Sequence, residues 1–191
     1  MKRIISVVAL VSILICFCVF ALGCKPALSD EEAKAILEEK LETSYYVMAA
    51  VYGDMLKVQE PEKIDKSWTV PHYFKVVEDS HYTTIDQIKA DAEKVFAPTY
   101  LETVYEYAFT GSEETMSRFA MDGDILTVDV VKKPYNILTD LYIETAVVVK
   151  ASKYAAEIEI DGSADGGKTV RKVLITLACV DGQLLFNGPT Y

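Results

Sequence analysis

Histidine, cysteine and tryptophan are scarce in this chain. Two histidines (His72 and His81), one tryptophan (Trp68) and four cysteines stand among 191 residues. That scarcity excludes most metal and nucleophile chemistry. The histidines lie nine residues apart with no cysteine near either, whereas a zinc site needs three or four converging ligands. No Gly-x-Ser-x-Gly elbow and no phosphate-cradling glycine loop occurs. Basic residues are also few, 19 against 29 acidic ones. A surface of that sign repels phosphate backbones and anionic lipid headgroups, so neither nucleic acid nor such headgroups are an expected ligand of the domain. No cofactor and no metal is implied. One stretch, Ile4 to Leu22, lacks charge altogether.

That stretch is what the chain has in place of chemistry. Met1-Lys2-Arg3 is a short cationic head before it, and together they read as the n-region and h-region of a signal peptide. An uncleaved membrane helix is the alternative, because about 20 apolar residues can cross a bilayer. Both readings leave Lys2 and Arg3 inside and send the rest of the chain outside. The stretch ends in Ala21-Leu22-Gly23-Cys24, which resembles the lipobox of bacterial lipoproteins, with Ala21 where leucine is usual. The resemblance implies cleavage between Gly23 and Cys24, a lipid (diacylglyceryl, with palmitate-type chains) on the Cys24 thiol, and residence on the outer face of the cytoplasmic membrane. Two acyl chains hold a protein stably where one is marginal. The expected organisation is a signal peptide over 1–23, a lipidated cysteine and short tether over 24–29, and a single domain over 30–191.

Removing the leader takes Lys2 and Arg3 but no acid, leaving 17 basic against 29 acidic residues, a net charge of −12. Cys16 and Cys18 depart with it. With Cys24 acylated, no disulfide is expected within the domain, which must rely on its core where small secreted domains often use disulfides. Cys179 lies in the apolar run Val173–Val180 and reads as an inert buried thiol, since a reactive one needs a polar activating neighbourhood.

Helices come first. Ser29 with Glu32 has the spacing of a capping box. Ala33, Ile36, Leu37, Leu41, Tyr45, Met48, Tyr52 and Met55 follow at helical period, predicting a helix to about Leu56. Val70–Val77 is a candidate strand. Thr84 with Gln87 caps a second helix, whose stripe is Ile85, Ile88, Ala92, Val95 and Phe96. Pro98 opens a third, closed by Gly111. Six strands are then predicted: 116–121, 125–131, 142–150, 154–160, 170–180 and 184–187. Asp122-Gly123-Asp124 and Asp181-Gly182 mark hairpin turns.

Helices segregated from a meander give an α+β fold, with N-terminal helices packed on a curved antiparallel sheet. This order resembles the cone-shaped, cystatin-like or nuclear-transport-factor-like superfamily, which implies a pocket between the long helix and the sheet. A narrower likeness lies in Tyr73-Phe74-Lys75-Val76, Tyr82-Thr83-Thr84-Ile85, Ile88-Lys89, Val95–Tyr100 and Asp181-Gly182. It resembles envelope proteins of Gram-positive bacteria, among them secreted inhibitors of cell-wall DL-endopeptidases, and it transfers no inhibitory residue.

The candidate sites are correspondingly few. Twelve tyrosines and Trp68 are the most suggestive content, since tyrosine joins an apolar body to a polar tip. Trp68, Tyr73, Tyr105 and Tyr142 are the candidate pocket lining, with core filling as the alternative. Asp161, Ser163, Asp165 and Gly166 match the start of a calcium loop, but its twelfth position is Lys172 instead of a bidentate Glu, so a flexible hairpin loop is expected. Glu38-Glu39 and similar acid pairs read as a solvated face. Asp129, Glu144, Glu157 and Glu159 fall in predicted strands, facing either a cavity or water. The expectation is a non-catalytic envelope lipoprotein. It has the membrane as partner through its anchor, and a cell-wall hydrolase or another envelope protein as candidate ligand. A small-molecule binder or acid–base enzyme of the cone-shaped fold is the alternative.

Overall fold

A computed structural model describes residues 28–59, 72–111, 116–131 and 140–190. The first helix, α1 (Asp30–Tyr52), starts where its capping box is. The Ser29 hydroxyl accepts from the Glu32 N–H at 3.3 Å, and the Glu32 carboxylate accepts from the Ser29 N–H at 3.1 Å. Asp30, Glu31 and Glu32 set three acids against the positive helix end. The helix stops at Tyr52, four residues short of the expected Leu56. The reason is tertiary: the Gly53 carbonyl turns away to accept from the Arg118 guanidinium at 2.7 Å.

Helix α2 (Ile85–Val95) is opened by the Thr84–Gln87 box, and α3 (Pro98–Tyr105) carries Pro98 in its first turn. A π-helical turn, Glu106–Thr110, extends α3 until Gly111, whose N–H reaches back to the Glu106 carbonyl at 2.7 Å. Gly111 has φ 72°, a left-handed conformation that suits glycine at a helix end.

The strands are β1 (Tyr73–Lys75), β2 (Phe119–Asp122), β3 (Ile125–Asp129), β4 (Asp140–Ala151), β5 (Ala155–Ser163), β6 (Arg171–Val180) and β7 (Gln183–Phe186). The fold is α+β, as the sequence predicts, but the strands divide into two antiparallel sheets instead of one. Their orders are β1-β3-β2 and β4-β5-β6-β7. Asp181 and Gly182, at φ 50° and 84°, form the β6–β7 turn, a pair of left-handed residues matching the twist of a two-residue hairpin. Strand β4 carries a wide bulge, because Tyr142 pairs with Asp161 but Val147 with Glu159. Thr145 stitches it, its hydroxyl donating to the Tyr142 carbonyl at 2.7 Å and accepting from the Asp161 N–H at 2.9 Å.

Each outer edge of the four-stranded sheet is tied down at one point. The Asp30 carboxylate accepts from the Val148 N–H of β4 at 2.8 Å, and the Phe186 carbonyl of β7 accepts from the Ala97 N–H at 2.8 Å. Each tie interrupts an edge that could otherwise template pairing with another chain. Along α1, Leu37, Val47, Met48 and Val51 have zero exposure, as do Ile158, Ile160 and Ile175 of β5 and β6. A water-sized void beside any of them would expose it, so the core around these side chains is filled.

Cys179 corrects an expectation. It is half-buried near the end of β6, and it is disulfide-bonded instead of an inert free thiol. Its partner lies outside the described residues, as do the expected signal peptide, the lipobox-like residues 21–24 and Trp68.

Candidate functional site

The best-organised solvent-facing cluster is built from two adjacent aromatic pairs far apart in sequence, Tyr45-Tyr46 on α1 and His81-Tyr82 just before α2. The loop before His81 is pinned from both sides. The Ser80 hydroxyl accepts from the Lys57 N–H at 3.3 Å, the Ser80 N–H donates to the Val77 carbonyl at 3.1 Å, and Lys57 pairs with Asp79 at 2.7 Å. Buried Tyr82 then anchors the segment, its hydroxyl donating to Asp91 on α2 at 3.2 Å. That placement lays the exposed His81 ring flat on Tyr46, centroids 4.0 Å apart and planes 14° apart, and edge-on to Tyr82 at 4.6 Å. Tyr45, 40% exposed, meets Tyr46 at 5.9 Å and 64°.

The electrostatics behind the stack belong to Asp91. Burial, then the negative Asp91, raises the Tyr82 hydroxyl well above its usual range, so it stays a neutral donor. The Lys94 ammonium, 2.7 Å away, holds the Asp91 carboxyl below its ordinary 3.8, with the Tyr82 hydroxyl helping and burial opposing. A depressed carboxylate gives stability that is fully present above its unfolded pKa and lost as pH falls through the folded value. Asp91→Asn should therefore lower the Tm modestly at neutral pH and flatten the acid limb, so that the two proteins converge below about pH 4. A Tm series against pH on both proteins checks this.

Chemically the cluster offers flat aromatic faces, an imidazole and no activated nucleophile. It can stack on a planar or sugar-like surface, or accept a partner's side chains. The two pairs lie 35 residues apart, and sequence periodicity does not join them. The only legible signal is the adjacency of aromatic residues at each position.

The tyrosines expected to line a pocket lie in three neighbourhoods, with no contact among them in the described residues. Tyr73 donates to the Ser117 carbonyl at 2.6 Å, in the three-stranded sheet. Tyr105 donates to Glu93 at 3.2 Å and is raised by burial first, then by that carboxylate; Lys89 lies over its ring and that of Phe109. The Tyr142 hydroxyl lies close against Gly167 in the β5–β6 loop, where an added Cβ would meet it at 3.1 Å. Tyr105 comes nearest to a concavity. Its partner Glu93 helps line a surface groove of about 300 Å³ with Phe96, Pro98, Leu101, Asp181 and Leu185.

The remaining candidates are spent on structure. In the calcium-like loop, the buried Ser163 hydroxyl accepts from the Gly167 N–H at 2.8 Å and donates to Asp165 at 2.8 Å. Asp165 accepts from the Thr169 N–H at 2.8 Å. Lys172, at the position where calcium would need a glutamate, pairs with Asp161 at 3.0 Å. Among the described residues, no group of three or more His, Cys, Asp or Glu could hold a metal ion. Glu157 and Glu159 pair with Lys150 and Lys172 on the outer face of β5, and Glu144 is exposed. Asp129 alone of these acids is buried, its carboxylate accepting from the His72 and Val131 N–H groups at 3.0 and 2.9 Å. His72 thus belongs to the three-stranded sheet and His81 to the aromatic stack. No protein-family model matches the chain, and no curated protein is similar to it.

Proposed function

We propose that this chain is a lipoprotein of the cell envelope, anchored through Cys24 to the outer face of the cytoplasmic membrane, and that it works by binding and not by catalysis. The observation that carries the binding reading is where order and exposure coincide. The helix–sheet interior around Leu37, Met48, Ile158 and Ile175 is filled, and its buried acid, Asp129, is committed to two backbone N–H groups. One aromatic cluster held in defined geometry reaches solvent, with Tyr45 and His81 exposed and Tyr46 half-buried between them. An acid–base enzyme of the cone-shaped type would need a carboxylate in an interior cavity instead.

The anchor reading is supported by the leader, by Ala21-Leu22-Gly23-Cys24, and by the six-residue spacing from Cys24 to the start of α1. At roughly 3.5 Å per residue that tether spans at most about 20 Å, which keeps the domain beside the membrane.

A photo-crosslinking residue placed at Tyr45 in the full chain tests the binding role. The expected result is a discrete adduct in envelope membranes. It should disappear when His81 is changed to Ala, and it should not form from the same crosslinker at Asp124, in the exposed β2–β3 turn. No adduct at position 45, or the same pattern from position 124, would contradict the proposal. The inhibitor reading is favoured by one feature, an exposed aromatic patch able to enter an enzyme cleft. If the adduct holds a cell-wall DL-endopeptidase, that enzyme's activity should fall at saturating protein, and unchanged activity removes this reading.

A further inference from the structure

We infer that the outer face of β4, together with the β4–β5 turn, lies against the lipid headgroups, so that the anchored domain has a fixed orientation on the membrane. The inference rests on the Cys24 anchor proposed above and adds which surface faces the lipid.

The argument starts at Asp30. Its carboxylate holds the Val148 N–H at 2.8 Å, which pins the start of α1, and with it the exit of the tether, to the edge of β4. A lipid on Cys24, six residues earlier, must then enter the bilayer within about 20 Å of Val148. The residues flanking that point are apolar and open: Val147 is 47% and Val149 52% exposed. Val147 faces outward opposite Glu159, and Val149, two residues on, is the extra residue at a register shift between Val148 and Lys150. Leu174, 54% exposed, continues the row beyond Glu159 on β6.

Further along the same strand, the turn presents Tyr154 at 66% exposure with the Lys153 ammonium 4.5 Å over its ring. Tyrosine beside lysine is the pair found at membrane–water interfaces, with the apolar body in the boundary and the polar tips at headgroup level.

Charge decides between this face and the rest of the domain. The mature chain carries a net −12, so most orientations bring acid toward an anionic membrane. On this face two lysines stand against three acids: Lys150 pairs with Glu157 at 3.2 Å, and Lys172 with Glu159 at 3.3 Å and Asp161 at 3.0 Å. Lys153 adds a cation at the turn. Exposed valines occur singly on many surfaces without meaning. On β4 they adjoin the tether exit, the interfacial tyrosine and the charge-matched patch at once.

The test uses the full chain expressed in a bacterial host and membranes loaded with a phospholipid carrying a photoactivatable group in its headgroup region. Peptide mapping reads the crosslinks, and the mass of the N-terminal peptide from the same sample reads the anchor. The expected result is lipid crosslinked to peptides covering 147–154 and 174, with none on the β2–β3 hairpin at 121–125. Val149→Asp with Tyr154→Asp should lose those crosslinks while the Cys24 lipid remains. A lipidated N-terminal peptide with crosslinks spread evenly, absent from 147–154, or replaced there by a protein, would overturn the inference and leave the anchor standing. An N-terminal peptide without lipid would overturn the anchor, and the inference with it.

Discussion

Phe186→Ala is expected to cost about 3–5 kcal/mol of stability, at the top of the range for truncating an apolar side chain. Phe186 has no solvent exposure and sits on β7, the last strand of the four-stranded sheet. Its ring meets Phe96 at 5.9 Å, and its carbonyl accepts from the Ala97 N–H at 2.8 Å. Residues 96 and 97 join α2 to α3, so this one side chain couples both short helices to the sheet edge. Truncation leaves a cavity that β7 cannot collapse into, because its backbone is held on both sides by Leu177 and Ala97. Domains of this size are typically stable by about 5–15 kcal/mol, so the variant should be marginal. Urea unfolding of both proteins would show the midpoint falling steeply at unchanged slope. A loss under about 1 kcal/mol would mean that this joint is not part of the cooperative core.

Arg118→Met should be nearly as severe, about 3–5 kcal/mol, for a polar reason. The Arg118 side chain is buried, and its guanidinium donates to the Asp129 and Gly53 carbonyls. Burial lowers its pKa, while the phenol of Tyr107 and the carboxyls of Asp129 and Asp54 raise it. Methionine keeps the volume and removes every donor. Two buried carbonyls are then left without this partner, and the negative Asp129 loses its nearby cation. The damage should be local first: α1 is stopped at Tyr52 by the turned Gly53 carbonyl, so amide exchange at residues 49–53 should quicken before the rest of the helix. Arg118→Lys should recover only part of the loss, because a single ammonium reproduces the fork poorly. If Arg118→Met unfolded at the wild-type midpoint, the end of α1 would have to be fixed by something else.

What could be read from the sequence was local. Both capping boxes, Ser29 with Glu32 and Thr84 with Gln87, depend on residues three apart and form as expected. Asp122-Gly123-Asp124 and Asp181-Gly182 turn where turn chemistry puts them, and Pro98 and Gly111 bound the third helix with its π turn. What was not legible is nonlocal. The end of α1 depends on Arg118, 65 residues beyond Gly53. The division into two sheets depends on strand order, which alternation along each strand does not encode. The Tyr46–His81 stack joins an α1 residue to a loop that Lys57, Ser80 and Asp79 hold in place. The β4 bulge that turns Val147 outward has no glycine or proline to mark it, only the Thr145 hydroxyl.

The disulfide at Cys179 sharpens the decisive measurement. Its partner can only be Cys16, Cys18 or Cys24; lipid processing removes the first two and acylates the third, so the disulfide belongs to the unprocessed chain and the anchored protein should hold Cys179 as a reduced thiol. The protein extracted from bacterial membranes without reductant should be digested and its N-terminal peptide weighed. The expected peptide begins at Cys24 and carries the mass of a diacylglyceryl group. A peptide beginning at Met1, or a Cys24 that is unmodified or joined to Cys179, would contradict the anchor and the envelope role built on it.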